Sequence, residues 1–253
     1  MMIDTIPFDI VVDASPPFAG RTVELTLEME SEDGLDETTD MFDCLCALAQ
    51  LGTFSASPAS DDHPAAAWAS EPHVRGSVWR RALAFGEIDT SFWRVLLQMT
   101  VQCHYHLAPI GRLFVRDSSP HAAFVSAGDL LTAPYLPSPP HLPFSLVRAE
   151  EAVRDVVAIR ATAAKPVGDE AFAAMKKAFE DWGSLVYVGG FASADAAIED
   201  YQIDRVEIGR LDRTLVECAA FSWNAPREAI DYAIRLCGGL HHHVVPIVEV
   251  EVE

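Results

Sequence analysis

Basic residues are scarce in this chain: its 253 residues hold 18 Lys and Arg against 38 Asp and Glu, a formal net charge of −20 at pH 7. Gripping a nucleic-acid backbone takes clustered Lys and Arg to displace condensed counterions, so the deficit excludes a phosphate-backbone binder. It permits a basic protein partner or a cationic ligand, and it favours solubility. Long apolar runs are lacking as well. No stretch reaches the ~18 apolar residues of a membrane span. The opening "MMIDTIPFDIVVDASPP" carries acids where a signal peptide needs Lys or Arg, and it has no adequate apolar core; a cytoplasmic protein is the expectation.

Cysteine is sparse and odd in number: Cys44, Cys46, Cys103, Cys218 and Cys237. Most sit in apolar periodic stretches, which suits buried reduced thiols. Cys44 and Cys46 are two apart, so on a helix they point to different sides and share neither metal nor redox chemistry. The familiar catalytic signatures are missing. "VGGF" at 188–191 is followed by no GxGxxG or Walker pattern, and GxSxG, HExxH and paired CxxC do not occur. No motif identifies a family.

What remains is clear periodicity. In "RTVELTLEME" (21–30), Val23, Leu25, Leu27 and Met29 alternate with Thr22, Glu24, Thr26 and Glu28, a half-buried strand. Thr38 or Thr39 can cap a helix with the apolar row Met41, Cys44, Leu48 and Leu51, stopped by Gly52, and "TFSAS" then reads as a short strand. The pattern recurs. "SVWRRALAF" is followed by a helix capped at Asp89 or Thr90, bearing Phe92, Leu96, Met99 and Cys103, and then by the strand "GRLFVRD". "VRDVVAIRAT" precedes a helix capped by Asp169, with Phe172, Met175, Phe179 and Trp182, ended by Gly183 before an extended "SLVYVGG". "RTLVECAAFSW" leads to a helix capped by Asn224, stopped at Gly238-Gly239, and to the closing strand "VVPIVEVEVE".

This order predicts an α+β protein of two tandem ferredoxin-like (βαββαβ) units, each a four-stranded antiparallel sheet with two helices on one face. A shift of 131 positions superposes Gly52 on Gly183 and Thr38 on Asp169 with the apolar rows between them; a shift of 134 superposes Thr90 on Asn224 and Cys103 on Cys237. Internal duplication is therefore expected. The predicted division is an N-terminal segment (1–20), a first domain (21–118), a Pro-rich linker (119–150) and a second domain (151–253).

Each sheet would leave one face uncovered. Alternation puts Val157, Ile159, Val216 and Cys218 inward, leaving Arg154, Arg160, Glu217, Glu249 and Glu251 on the open side, with Trp79 and Arg81 on the open side of the first unit. Such a face is either solvated and laced with pairs such as Arg160–Glu217, or two faces meet around a polar cavity that binds a small ligand. His104, His106, His241 and His243 follow the second helix of each unit. They are candidate metal ligands, although His at a helix C-terminus is favoured by the macrodipole alone. No cofactor is expected. The leading functional expectation is a non-enzymatic binding module for a protein partner, with an inhibitor or immunity-type role compatible; the alternative is a small-molecule enzyme or sensor with a cavity between the open faces.

Overall fold

The computed structural model describes residues 6–13, 20–55, 66–86, 88–117, 142–149, 155–192 and 201–253. Among these the chain is α+β, with four helices and two mixed sheets. The helices are α1 (Leu35–Gln50), α2 (Thr90–His106), α3 (Asp169–Tyr187) and α4 (Arg227–His243). The strands of the first half are β1 (Asp9–Asp13), β2 (Thr22–Met29), β3 (Ala66–Trp68), β4 (His73–Arg75), β5 (Val78–Phe85) and β6 (Ile110–Asp117). Those of the second are β7 (Ser145–Arg148), β8 (Val156–Ala163), β9 (Arg205–Arg210), β10 (Leu215–Phe221) and β11 (Ile247–Val252).

The first sheet has the order β1-β6-β2-β5-β3, with β4 also on β5; the second has the order β7-β11-β8-β10-β9. Neither is the plain four-stranded antiparallel sheet that the periodicity predicts. β1 lies parallel to β6, and β7 parallel to β11. "DIVVD" and "SLVR" fall in the segments assigned to the N-terminal extension and the linker. Each is a short run that adds one edge strand, too brief to show alternation.

Two predicted strands also move. Of "TFSAS" the described residues Thr53 to Ser55 follow α1 in a turn and not a strand, with Phe54 fully buried, and "SLVYVGG" continues α3 before turning. The strands in those places are β3 and β9, further along the chain. The glycine stops are corrected too. Gly183 lies inside α3 and Gly238-Gly239 inside α4. An added Cβ at Gly183 would lie 2.7 Å from Val206 Cγ1, and at Gly239 it would lie 2.0 Å from the Leu51 carbonyl oxygen. These glycines permit close packing rather than ending a helix.

The halves correspond in detail. After α1, Gly52 has φ 78°; after α3, Gly189 has φ 80°. Leu51, Gly52 and Thr53 donate to the carbonyls of Ala47, Ala49 and Leu48, and Val188, Gly189 and Gly190 donate to those of Ser184, Val186 and Leu185. Where β2 meets β6 the register slips between Glu28 and Met29, with Met29 opposite Ile110. Where β8 meets β11 it slips beside Ile247, which lies opposite Ala163. In these features Gly52 corresponds to Gly189 and not to Gly183, and Ile110 corresponds to Ile247. α3 has 19 residues against 16 in α1, three more, which is nearly one extra turn.

Helices fill the middle. α1 packs on α3 across the halves, and α2 and α4 each pack against the turn of the opposite half. Phe54 meets Tyr232 at 5.2 Å between ring centroids, Arg235 Nη1 donates to the Ser55 carbonyl at 3.1 Å, and Gly189 and Gly190 lie against Gln102 and Met99 of α2. α2 is consequently buried almost all round from Ser91 to Cys103. Among the described residues the halves therefore meet through their helices and not through their open faces.

Candidate functional site

On the outer face of the second sheet, Arg160 sits in register between Glu217 of β10 and Glu251 of β11. Its Nε donates to Glu217 at 2.6 Å, and its Nη1 lies 2.7 Å from Glu253 and 3.6 Å from Glu251. Glu249 takes a hydrogen bond from Ser145 Oγ at 3.3 Å. These residues form a cross-strand ionic ladder on a wet face and leave Arg160 ringed by carboxylates. Arg154 lies outside the described residues.

Trp79 and Arg81 are on the other side from the one expected. Trp79 is buried and meets Phe42 of α1 at 5.5 Å between centroids, so Trp79, Arg81, Leu83 and Phe85 face the helices. "VWRRALAF" misleads because Arg81 reaches out at the margin of the covered face. It stacks 4.3 Å over Trp68 and donates to Asp43 at 2.6 Å and to the Ser70 carbonyl at 3.0 Å.

The histidines are the last turns of α2 and α4, not a connecting turn. The Ile110 N–H donates to His104 Nδ1 at 3.0 Å, and the Ile247 N–H donates to His241 Nδ1 at 3.0 Å. Each Nδ1 also lies against the carbonyl oxygen of the same isoleucine, at 3.1 Å for His104 and 2.9 Å for His241. These rings fasten a helix end to the following strand. His106 packs on Tyr201 at 4.7 Å, and His243 is half-buried. Burial and the charges of its neighbours His241 and His243 lower the pKa of His242. Among the described residues no group of three or more His, Cys, Asp or Glu could hold a metal ion.

The site that gathers the most chemistry lies at the seam of α1 and α3. A cleft of ≈ 730 Å³ is lined by Asp40, Asp43 and Cys44 of α1, Trp68 and Arg81 of the sheet, and Lys177, Glu180 and Asp181 of α3. The side chain of Asp181 is 4% exposed and bonds Lys177. Burial pushes its carboxyl above the usual range despite hydrogen bonds from Lys177 and Cys44. Burial opposes the Lys177 ammonium, yet the bond to Asp181 and its charge hold that pKa above the ordinary value. Burial and the neighbouring Asp181 push the Cys44 thiol up to about 12. Burial likewise carries Cys46, Cys103 and Cys237 to about 12 and Cys218 higher still, so none is an activated nucleophile.

Both cations of the cleft are engaged with carboxylates. Asp40 is exposed and has no ion-pair partner among the described residues, and Glu180 meets Lys176 only at 3.7 Å. A legible signal for the cleft was the spacing of Asp36, Asp40 and Asp43, which sets carboxylates along one side of α1. Trp68 gave none, because β3 is only three residues long and shows no alternation.

No helix of the described residues is long and apolar enough to cross a membrane. No family model matches the chain, and no curated protein does. Among solved structures the chain is similar to a protease from Helicobacter pylori, at 11% identity and TM-score 0.21, covering 91% of this chain and 76% of that one. It is similar also to a predicted insulinase family protease from Yersinia pestis, at 12% identity and TM-score 0.22, covering 88% and 67%. A third likeness is to Complex III2 from Candida albicans, at 7% identity and TM-score 0.20, covering 84% and 69%. Likenesses this weak carry no argument about fold or activity.

Proposed function

We propose that the chain is a duplicated pair of ferredoxin-like units, each extended by a parallel edge strand, and that it serves as a non-enzymatic binding module for a basic protein partner. The duplication is supported by the matched strand orders β6-β2-β5-β3 and β11-β8-β10-β9, the matched register slips and the matched histidine clamps. The functional reading is carried by the seam cleft, where four carboxylates surround two cations that are already paired. Acidic residues left over in a concave site attract a positive partner, and the net charge of −20 steers it there. The protonated thiols fit a binding role and offer no nucleophile.

Fluorescence anisotropy with labelled nona-arginine tests the reading. The double variant Asp40→Asn/Glu180→Gln should weaken binding about 10-fold at low salt, as expected for two lost charge contacts. Glu24→Gln/Glu249→Gln removes the same charge away from the cleft and should leave affinity within about 2-fold. Equal weakening by both double variants would mean a diffuse charge effect and would overturn the assignment of the cleft.

A further inference from the structure

A second cleft, of ≈ 410 Å³, opens on the other side of the same seam. Its walls are apolar: Met41, Leu107, Tyr187, Val188, Ile203 and Val206. That volume lies within the range of pockets that enclose small organic groups. Gly183 shapes its floor, since the missing Cβ lets Val206 of β9 come close against α3.

The rim of this apolar cleft is acidic, with Glu37, Asp40, Glu180 and Asp204. Glu37 and Asp40 are exposed and have no ion-pair partner among the described residues. Asp204 accepts a hydrogen bond from Ser222 Oγ, and Ser222 holds φ 57°, a left-handed value unusual for a residue with a side chain. One cation, Arg205, also borders the cleft, but it is occupied elsewhere. Its Nε donates to Glu207 at 2.8 Å, and its guanidinium lies 4.3 Å over the Phe221 ring. The rim charge is therefore not neutralised from within.

The two clefts share one wall, made of Asp40, Met41, Glu180 and Ser184. An apolar molecule alone would desolvate these carboxylates without compensation, and a bare cation would leave the apolar walls wet. An extended peptide can meet both demands, because its side chains at i and i+2 project to the same side.

We infer that the partner docks as an extended segment, placing one apolar side chain in the ≈ 410 Å³ cleft and a basic side chain two residues away over the adjoining acidic cleft. This rests on the binding-module reading and adds the chemistry of the segment recognised.

Labelled pentapeptides Arg-Ser-X-Ser-Arg, with X as Ala, Leu or Phe, carry equal charge and separate the two parts. With the wild-type protein, Leu or Phe should bind about 10-fold tighter than Ala, the discrimination an apolar pocket gives for a few carbon atoms. Leu107→Trp, which fills the cleft, should erase that difference while retaining the charge-driven binding of the Ala peptide. Equal affinity of the three peptides for the wild-type protein, still weakened by Asp40→Asn/Glu180→Gln, would overturn the pocket and spare the binding-module reading. Binding indifferent to those two carboxylates would overturn both. Uncharged N-acetyl-phenylalanine amide binding as tightly as the Phe peptide would overturn the peptide occupant in favour of a small molecule. The wild-type series decides the matter even if Leu107→Trp fails to fold.

Discussion

Two aspartates in this chain titrate in opposite senses, and the contrast exposes what burial does to a carboxylate. Asp181 is enclosed at the α1–α3 seam, and burial raises its pKa above the ordinary 3.8. The folded state then binds the proton more tightly than the unfolded one. The stability this confers is fully present below the unfolded pKa and is lost as pH rises through the folded value. Asp212 is fully exposed, but its Oδ1 accepts from the N–H of Thr214 at 2.6 Å and of Leu215 at 2.8 Å, and the Thr214 N–H is the main cause lowering its pKa. Its contribution is present above the unfolded pKa and is lost as pH falls through the folded one. Asp181→Asn should therefore raise the Tm at pH 7, and the gain should fade on descent to about pH 4, where the ordinary carboxylate titrates. Asp212→Ala should lower the Tm at pH 7, and the loss should narrow at still lower pH. Melting curves of the three proteins across pH check both signs. Curves that stay parallel throughout would show that neither carboxyl is linked to folding.

At the scale of elements, adjacent glycines in α4 play different parts. A Cβ on Gly238 would meet nothing within 4 Å, whereas on Gly239 it would lie 2.0 Å from the Leu51 carbonyl oxygen. Gly238→Ala should stabilise by about 0.5–1 kcal/mol through helix propensity. Gly239→Ala should destabilise by about 1–3 kcal/mol, because backbone must shift to make room. Urea unfolding of the two variants measures both, and the same sign for the pair would refute the packing argument. From sequence these glycines read as stops, since composition shows a missing side chain and not what approaches it. Long strands and all four helices were legible, because Val157, Ile159, Val216 and Cys218 obey a period of two and Phe92, Leu96, Met99 and Cys103 a helical one. Sliding one helix on another by three residues is nearly one turn, and by six nearly two, so an apolar row stays almost in place and periodicity alone does not fix the offset between the halves. β1 and β7 were missed because parallel edge pairing is a long-range property of runs only five and four residues long. Of the cleft, the sequence reading includes Arg81 alone as a site residue, and on the opposite face; the Arg160–Glu217 pair lies on the outer face of the second sheet. Asp181, Lys177 and Trp68 are absent from it, since α1 and α3 meet only in the folded chain.

For the molecule as a whole, the important fact is that the halves share their helical interior. Phe54, in the turn after α1, packs on Phe92 of its own half and on Tyr232 of the other. Gly189 and Gly190, in the matching turn, lie on α2 of the first half. Each half thus completes the burial of the other's second helix, and neither sheet has a full helical cover without its neighbour. The seam that makes this core also forms the two clefts, so binding and global stability draw on the same α1–α3 contact. Unfolding should then be a single cooperative transition across both sheets. Hydrogen exchange in increasing urea can follow amides of the central pairs β2–β5 and β8–β10 separately. Both pairs should lose protection at one urea concentration, and Gly239→Ala, which disturbs only the contact between halves, should lower that midpoint for both together. If β8–β10 stayed protected after β2–β5 had exchanged, the halves would be independent folding units, and the seam would be a docking contact between two finished domains.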